Sequence, residues 1–148
     1  MFVCILAYPA LVTSAAFNHI MAFTARITGL ILGALGTPAA ANGTIVTSNN
    51  FSVAIIGECT GIVPIMIFLS AVVAYPCRLK QKLAGMAIGI VVLYLINLVR
   101  IVSLFYVGAY YPDFLETAHL VLWQGLMILL ALILWLFWAN RLTGEHAR

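Results

Sequence analysis

From residue 83 to residue 107 the chain carries one charged side chain, Arg100, and from 118 to 139 it carries none. A helix rises about 1.5 Å per residue, so about 20 apolar residues in a row cross the hydrocarbon core of a bilayer. Residues 60–75 form a third uncharged run, shorter and interrupted by Pro64, for which tilt or local bilayer adjustment is expected. Residues 1–17 are a fourth, marginal run without the basic flank that opens a signal peptide. Charged residues make up 7% of the chain and hydrophobic ones 65%, against about 25% charged in a soluble domain. A globule cannot be covered with so few charges, and a chain this apolar is neither disordered nor collagen-like. The reading is an all-α polytopic protein, one membrane domain with spans at about 1–17, 60–77, 83–107 and 118–139.

Charge placement gives the expected orientation. The net charge of +3 does not come from a basic patch, so nucleic acid is not an expected partner. Arg78, Lys80 and Lys82 crowd one short connection, and Arg141 and Arg148 follow the last run. Two spans separate these segments, which puts both on one side, the cytoplasmic side by the positive-inside rule. Both termini then lie inside, and Glu58, Asp113 and Glu116 fall outside, with Arg26 as an exception. Trp135 and Trp138 are expected in the inner aromatic belt, and Tyr106, Tyr110 and Tyr111 in the outer one. The extracytoplasmic region runs over about 18–58. Apolar residues recur at helical spacing over 20–35, with Thr24, Arg26 and Thr28 on the other face, which suits an interfacial helix. Gly36-Thr37-Pro38 stops it. Two β-branched or aromatic runs, 44–47 and 51–56, then flank Ser48-Asn49-Asn50, a small β-hairpin signal.

Three residues stand out chemically. Cys59 lies in Gly57-Glu58-Cys59-Thr60-Gly61, at the expected outer entrance of the second span. A helix N-terminus favours thiolate, and the glycines clear space around the sulfur. The plainer alternative is a small apolar residue packed between helices. Arg100 costs roughly 2.5–3.5 kcal/mol at mid-membrane, and Asn97, three residues earlier, shares its helical face. Such a face should turn to protein or a wet cavity. The alternative is a structural Arg100–Glu58 pair between helices. His119 opens the last span, and histidine is the side chain whose ordinary pKa suits proton transfer near neutrality; the alternative is an idle interfacial imidazole. If the three helices touch, a thiol, a cation and an imidazole converge on one outward-facing site, the outfit of cysteine acyl transfer. A buried thiol resists ionisation, so neighbouring positive charge from Arg100 or protonated His119 is required. The cysteines Cys4, Cys59 and Cys77 and the scattered acids lack metal-ligand spacing, and no cofactor is expected.

At these residues the chain resembles the exosortase/archaeosortase family, closest to its small exosortase H type. Cys59-Thr60-Gly61, Asn97-Leu98-Val99-Arg100-Ile101 and His119 at the head of the last span carry the resemblance, which runs over about 46–139. It implies a multipass protein of the bacterial cytoplasmic membrane. The implied activity is that of a cysteine protease or transpeptidase, which cuts C-terminal sorting signals of exported proteins through a thioester. Substrates of that family end in a short motif, a hydrophobic span and a basic tail. The resemblance maps the catalytic roles onto Cys59, Arg100 and His119; Asn97 and Glu58 are expected to orient Arg100 and His119. Many members have more spans than this chain. Two other readings use the same residues: a non-catalytic membrane assembly factor held together by Arg100, Asn97 and Glu58, and a small transporter subunit with Arg100 on an anion path.

Overall fold

The structure is a computed structural model and describes residues 15–48 and 51–146. Helix α1 (Ala15–Ala34) leads into strands β1 (Ala39–Asn42), β2 (Ile45–Ser48) and β3 (Ser52–Ala54). A 3₁₀ turn (Gly57–Thr60) precedes α2 (Ile62–Ala74) and α3 (Leu79–Tyr110). Last come α4 (Pro112–Thr117), a π-helical stretch (Ala118–Trp123) and α5 (Gln124–His146).

Two helical runs are both long and apolar enough to cross a membrane. Helix α3 has 32 residues, and Pro112–Leu142 forms a continuous run of 31. In the most apolar part of the latter only 11% of residues are buried, the opposite of a core helix in a soluble protein. Leu129, Ile133, Leu136 and Phe137 on α5, and Ile88, Val91, Leu95 and Val99 on α3, are exposed. Apolar surface of that extent needs lipid or protein against it. The expected span at 1–17 lies almost wholly outside the described residues. The one at 60–77 is shorter than expected: α2 has 13 residues, about 20 Å of helix, against a hydrocarbon core of about 30 Å. Both of its ends have a physical cause. Gly61 sits in the left-handed region at φ 70°, so helix geometry begins only after it, with Pro64 in the first turn where its missing N–H costs nothing. Pro76 holds Tyr75 extended, at ψ 131°, and closes the other end.

Helix α1 packs along α3. Thr24 Oγ1 lies 3.2 Å from Tyr94 Oη, and Thr37 Oγ1 lies 3.0 Å from Tyr106 Oη. Contacts that advance together along both segments mean that α1 runs beside the second half of α3, in the same direction, and does not lie across it. On the polar face of α1, Thr24 and Thr28 are buried and Arg26 is exposed. The Thr24 and Thr28 hydroxyls donate to the Ile20 and Thr24 carbonyls of the preceding turn, each at 2.9 Å, so burial leaves neither without an acceptor.

The hairpin forms as expected between β2 and β3, with Val46 opposite Val53. A third strand extends it: β1 pairs antiparallel with β2, Ala41 opposite Val46, giving the order β1-β2-β3. One face of this sheet joins Ala25 and Leu32 of α1 to Ile101 and Phe105 of α3 through Val46 and Ile55. A second apolar cluster holds α2, α3 and α5 together around Phe68, Val72, Leu93 and Ala131. Gly89 on α3 makes that packing possible, because a β-carbon there would collide with the Phe68 ring; small residues let helices approach in this way. Near the basic connection Tyr75 meets Trp135 and Trp138 edge-on, and Lys82 Nζ donates to the Val73 carbonyl at the end of α2, at 2.6 Å. These contacts mark one end of the helix bundle.

Candidate active site

The opposite end collects the residues singled out above. Cys59 is not in the first turn of α2, as its sequence position suggests, but in the 3₁₀ turn before it. The left-handed Gly61 separates turn from helix. Thr60 Oγ1 donates to the Gly57 carbonyl at 2.6 Å and Cys59 N–H to the Ile56 carbonyl at 2.9 Å, so the turn is tied at both ends. Asn97 fixes it from α3: Nδ2 donates to the Cys59 carbonyl at 2.7 Å. Asn97 is fully buried, and a β-carbon on Gly61 would approach its Cγ to 2.9 Å. Glycine at 61 is thus needed twice, for its backbone angle and for the closeness of α3.

His119 reaches the same turn from the last helix. Its Nε2 stands 3.7 Å from Cys59 Sγ, and both residues are half-buried. The histidine belongs to the π-helical stretch, where the helix is wound one residue wider per turn; such bulges occur often at functional sites. Arg100 follows Asn97 by one turn on the buried face of α3 and is 1% exposed. Helix α3 runs on to Tyr110, which puts Arg100 about 15 Å from its end, deeper than the expected end at 107 implied. The backbone of Glu58 lies in the 3₁₀ turn; its side chain is outside the described part.

Cys59 and His119 share a cavity of about 340 Å³. Its walls come from β3 and the residues after it, from Ile101 and Leu104 on α3, and from Leu115 and Glu116 on α4. Direct contacts join Cys59 to His119 and to Asn97, and Arg100 lies one turn beyond Asn97 on α3. Glu116, Gly61 and the strand residues of the cavity were not among the expected site residues. For Glu116 a signal was present, since it precedes His119 by three positions and so shares its helical face. For Gly61, expected only to clear space around the sulfur, the hint of a backbone role was the proline three residues later.

A helical membrane protein with a thiol and an imidazole paired in a cleft at one end of the bundle is the class that this fold and site define. The sequence profile of the transmembrane exosortases, of the EpsH type, matches residues 1–139. The chain belongs to that family. No curated protein and no solved structure matches it significantly.

Proposed function

We propose that this exosortase is a cysteine protease or transpeptidase with Cys59 as nucleophile, acting on the C-terminal sorting signals of exported proteins. The observation that carries the reading is the 3.7 Å approach of Cys59 Sγ to His119 Nε2 at the wall of a cavity. A base within reach of the nucleophile is the first requirement of covalent catalysis.

In this reading His119 Nε2 takes the Cys59 proton and the sulfur adds to the scissile carbonyl. The C–N bond breaks, the imidazolium returns the proton to the departing amine, and an acyl group remains on Cys59 as a thioester. Water or an amine then adds to the thioester as His119 takes its proton. The C–S bond breaks and the proton goes to the thiolate. Arg100 offsets the negative charge on sulfur or on the oxyanion, a role that gains strength in a site shielded from water. Asn97 keeps the Cys59 turn in place, and Glu58 helps to orient Arg100 or His119. The substrate's own span packs beside α2, α3 and α5, its basic tail on the side of Arg78, Lys80 and Lys82 by the same positive-inside logic. The site then faces the outer side of the cytoplasmic membrane, with both termini inside.

The test is co-expression of Cys59→Ala with a candidate tailed substrate. Processing should vanish while the variant accumulates in the membrane like the parent. A scaffold or transporter subunit would scarcely notice the change, and unaltered processing would end the proposal. Labelling of Cys59 by a membrane-impermeant thiol reagent from the cytoplasmic side would end the outward orientation.

A further inference from the structure

The sheet ends in two edge strands, β1 and β3, and β3 borders the cavity. Strand β3 pairs on one side only, with β2. Ser48 N–H donates to the Phe51 carbonyl and Ile55 N–H to the Thr44 carbonyl, both at 2.8 Å. Bonded and non-bonded pairs alternate along an antiparallel ladder. With Val53 opposite Val46 and Ala54 opposite Ile45, residues 51, 53 and 55 turn their peptide groups toward β2. Ser52 and Ala54 turn theirs the other way. No strand pairs with that side of β3 among the described residues. Exposed edges of this kind are normally blunted or covered. Here Val53, Ala54 and Ile56 share the cavity with Cys59 and His119, and Leu115 stands in the facing wall.

We propose that the substrate's scissile segment binds as an added strand on the open edge of β3. The outward N–H and C=O of Ala54 and Ser52 pair with its backbone, alternate side chains enter the apolar cavity, and the scissile carbonyl arrives at Cys59. This rests on the reading of Cys59 as nucleophile and adds how its substrate is held. Outward peptide groups two residues apart match the repeat of an extended chain and of nothing folded. A lipid chain in the same place would bury those groups without partners, which is costly. The cavity, about 340 Å³, admits a short extended segment and no domain.

Ala54→Pro removes one outward N–H and leaves the β2–β3 ladder untouched, as edge strands tolerate; Ala54→Ser changes the side chain and keeps the N–H. In full-length protein co-expressed with a tailed substrate, Ala54→Pro should cut processing by about tenfold or more, the worth of one well-made hydrogen bond at the upper end. Ala54→Ser, which keeps the N–H, should lose far less processing than Ala54→Pro, and iodoacetamide should alkylate Cys59 equally fast in all three. A second arm leaves the protein unaltered. Synthetic peptides spanning the cleavage site, N-methylated at one position each, should lose cleavage at every second position. Parental processing by Ala54→Pro, equal losses in both variants, or N-methyl effects without alternation would overturn strand addition. Continued processing by Cys59→Ala would instead overturn the reading of the nucleophile, so the two failures are distinct.

Discussion

Cys59 Sγ and His119 Nε2 stand 3.7 Å apart although 60 positions separate them in the chain. The pairing is made by three independent constraints: the tied 3₁₀ turn, the Asn97 bond to the Cys59 carbonyl, and the π-helical stretch that carries the imidazole.

If His119 moves the proton, His119→Ala should lower processing by about 100- to 10,000-fold, the usual worth of a general base. Iodoacetamide should also alkylate Cys59 more slowly in the variant, because the imidazole no longer assists ionisation. Unchanged processing and unchanged alkylation would remove His119 from the mechanism.

Arg100 separates a catalytic cation from interhelical glue. Stripping one partner from a buried charged pair costs about 3–5 kcal/mol, so the thermal unfolding of Arg100→Met in detergent reports how far Arg100 holds the helices together. If its charge is catalytic, Arg100→Met should abolish processing even in the protein that stays folded in the membrane. Full processing by folded Arg100→Met would leave only the glue. Arg100→Lys keeps the charge without the planar fork, and about a hundredfold loss is expected, as for a displaced oxyanion donor.

The Asn97–Gly61 contact should behave as one unit. Asn97→Leu removes the Asn97 donor from the half-buried Cys59 carbonyl, a loss of about 1–3 kcal/mol. Gly61→Ala places a β-carbon at φ 70° and 2.9 Å from Asn97 Cγ; the left-handed backbone alone costs about 1–2 kcal/mol. Thermal unfolding of both variants and of the double variant checks this, and the losses should fall short of additive because both act on the same turn.

Part of the candidate site was legible because its residues break an apolar pattern. Span order puts Cys59 and His119 at one end of the bundle, where they meet, and spacing puts Asn97 on the helical face of Arg100, the buried face of α3. The 3₁₀ turn was not legible, since it depends on the backbone angle of Gly61, and neither was the π-helical stretch, which has no composition of its own. Strand β1 escaped notice because Ala39-Ala40-Ala41-Asn42 has poor strand propensity and is held by its pairing with β2. On α1, Thr24 and Thr28 share a face with Arg26, yet only Arg26 is exposed; threonine hydroxyls can bond the carbonyl one turn back, which lets both be buried, Thr24 beside Tyr94.

Gly89 offers a test of the packing apart from the chemistry. Gly89→Val should drive a side chain into Phe68 and cost roughly 1–3 kcal/mol as overpacking does. Cleavage measured at low temperature should persist in whatever fraction stays folded, because the contact lies in the cluster remote from Cys59.

The central claim is a covalent acyl group on Cys59, and intact-mass analysis of the purified protein after co-expression with a tailed substrate measures it directly. The account predicts, under acid quench, a species heavier by the acyl fragment, localised to Cys59, released by hydroxylamine and absent from Cys59→Ala. An adduct on another residue, or substrate turnover by the His119→Ala protein at the parental rate with no adduct at Cys59, would contradict it.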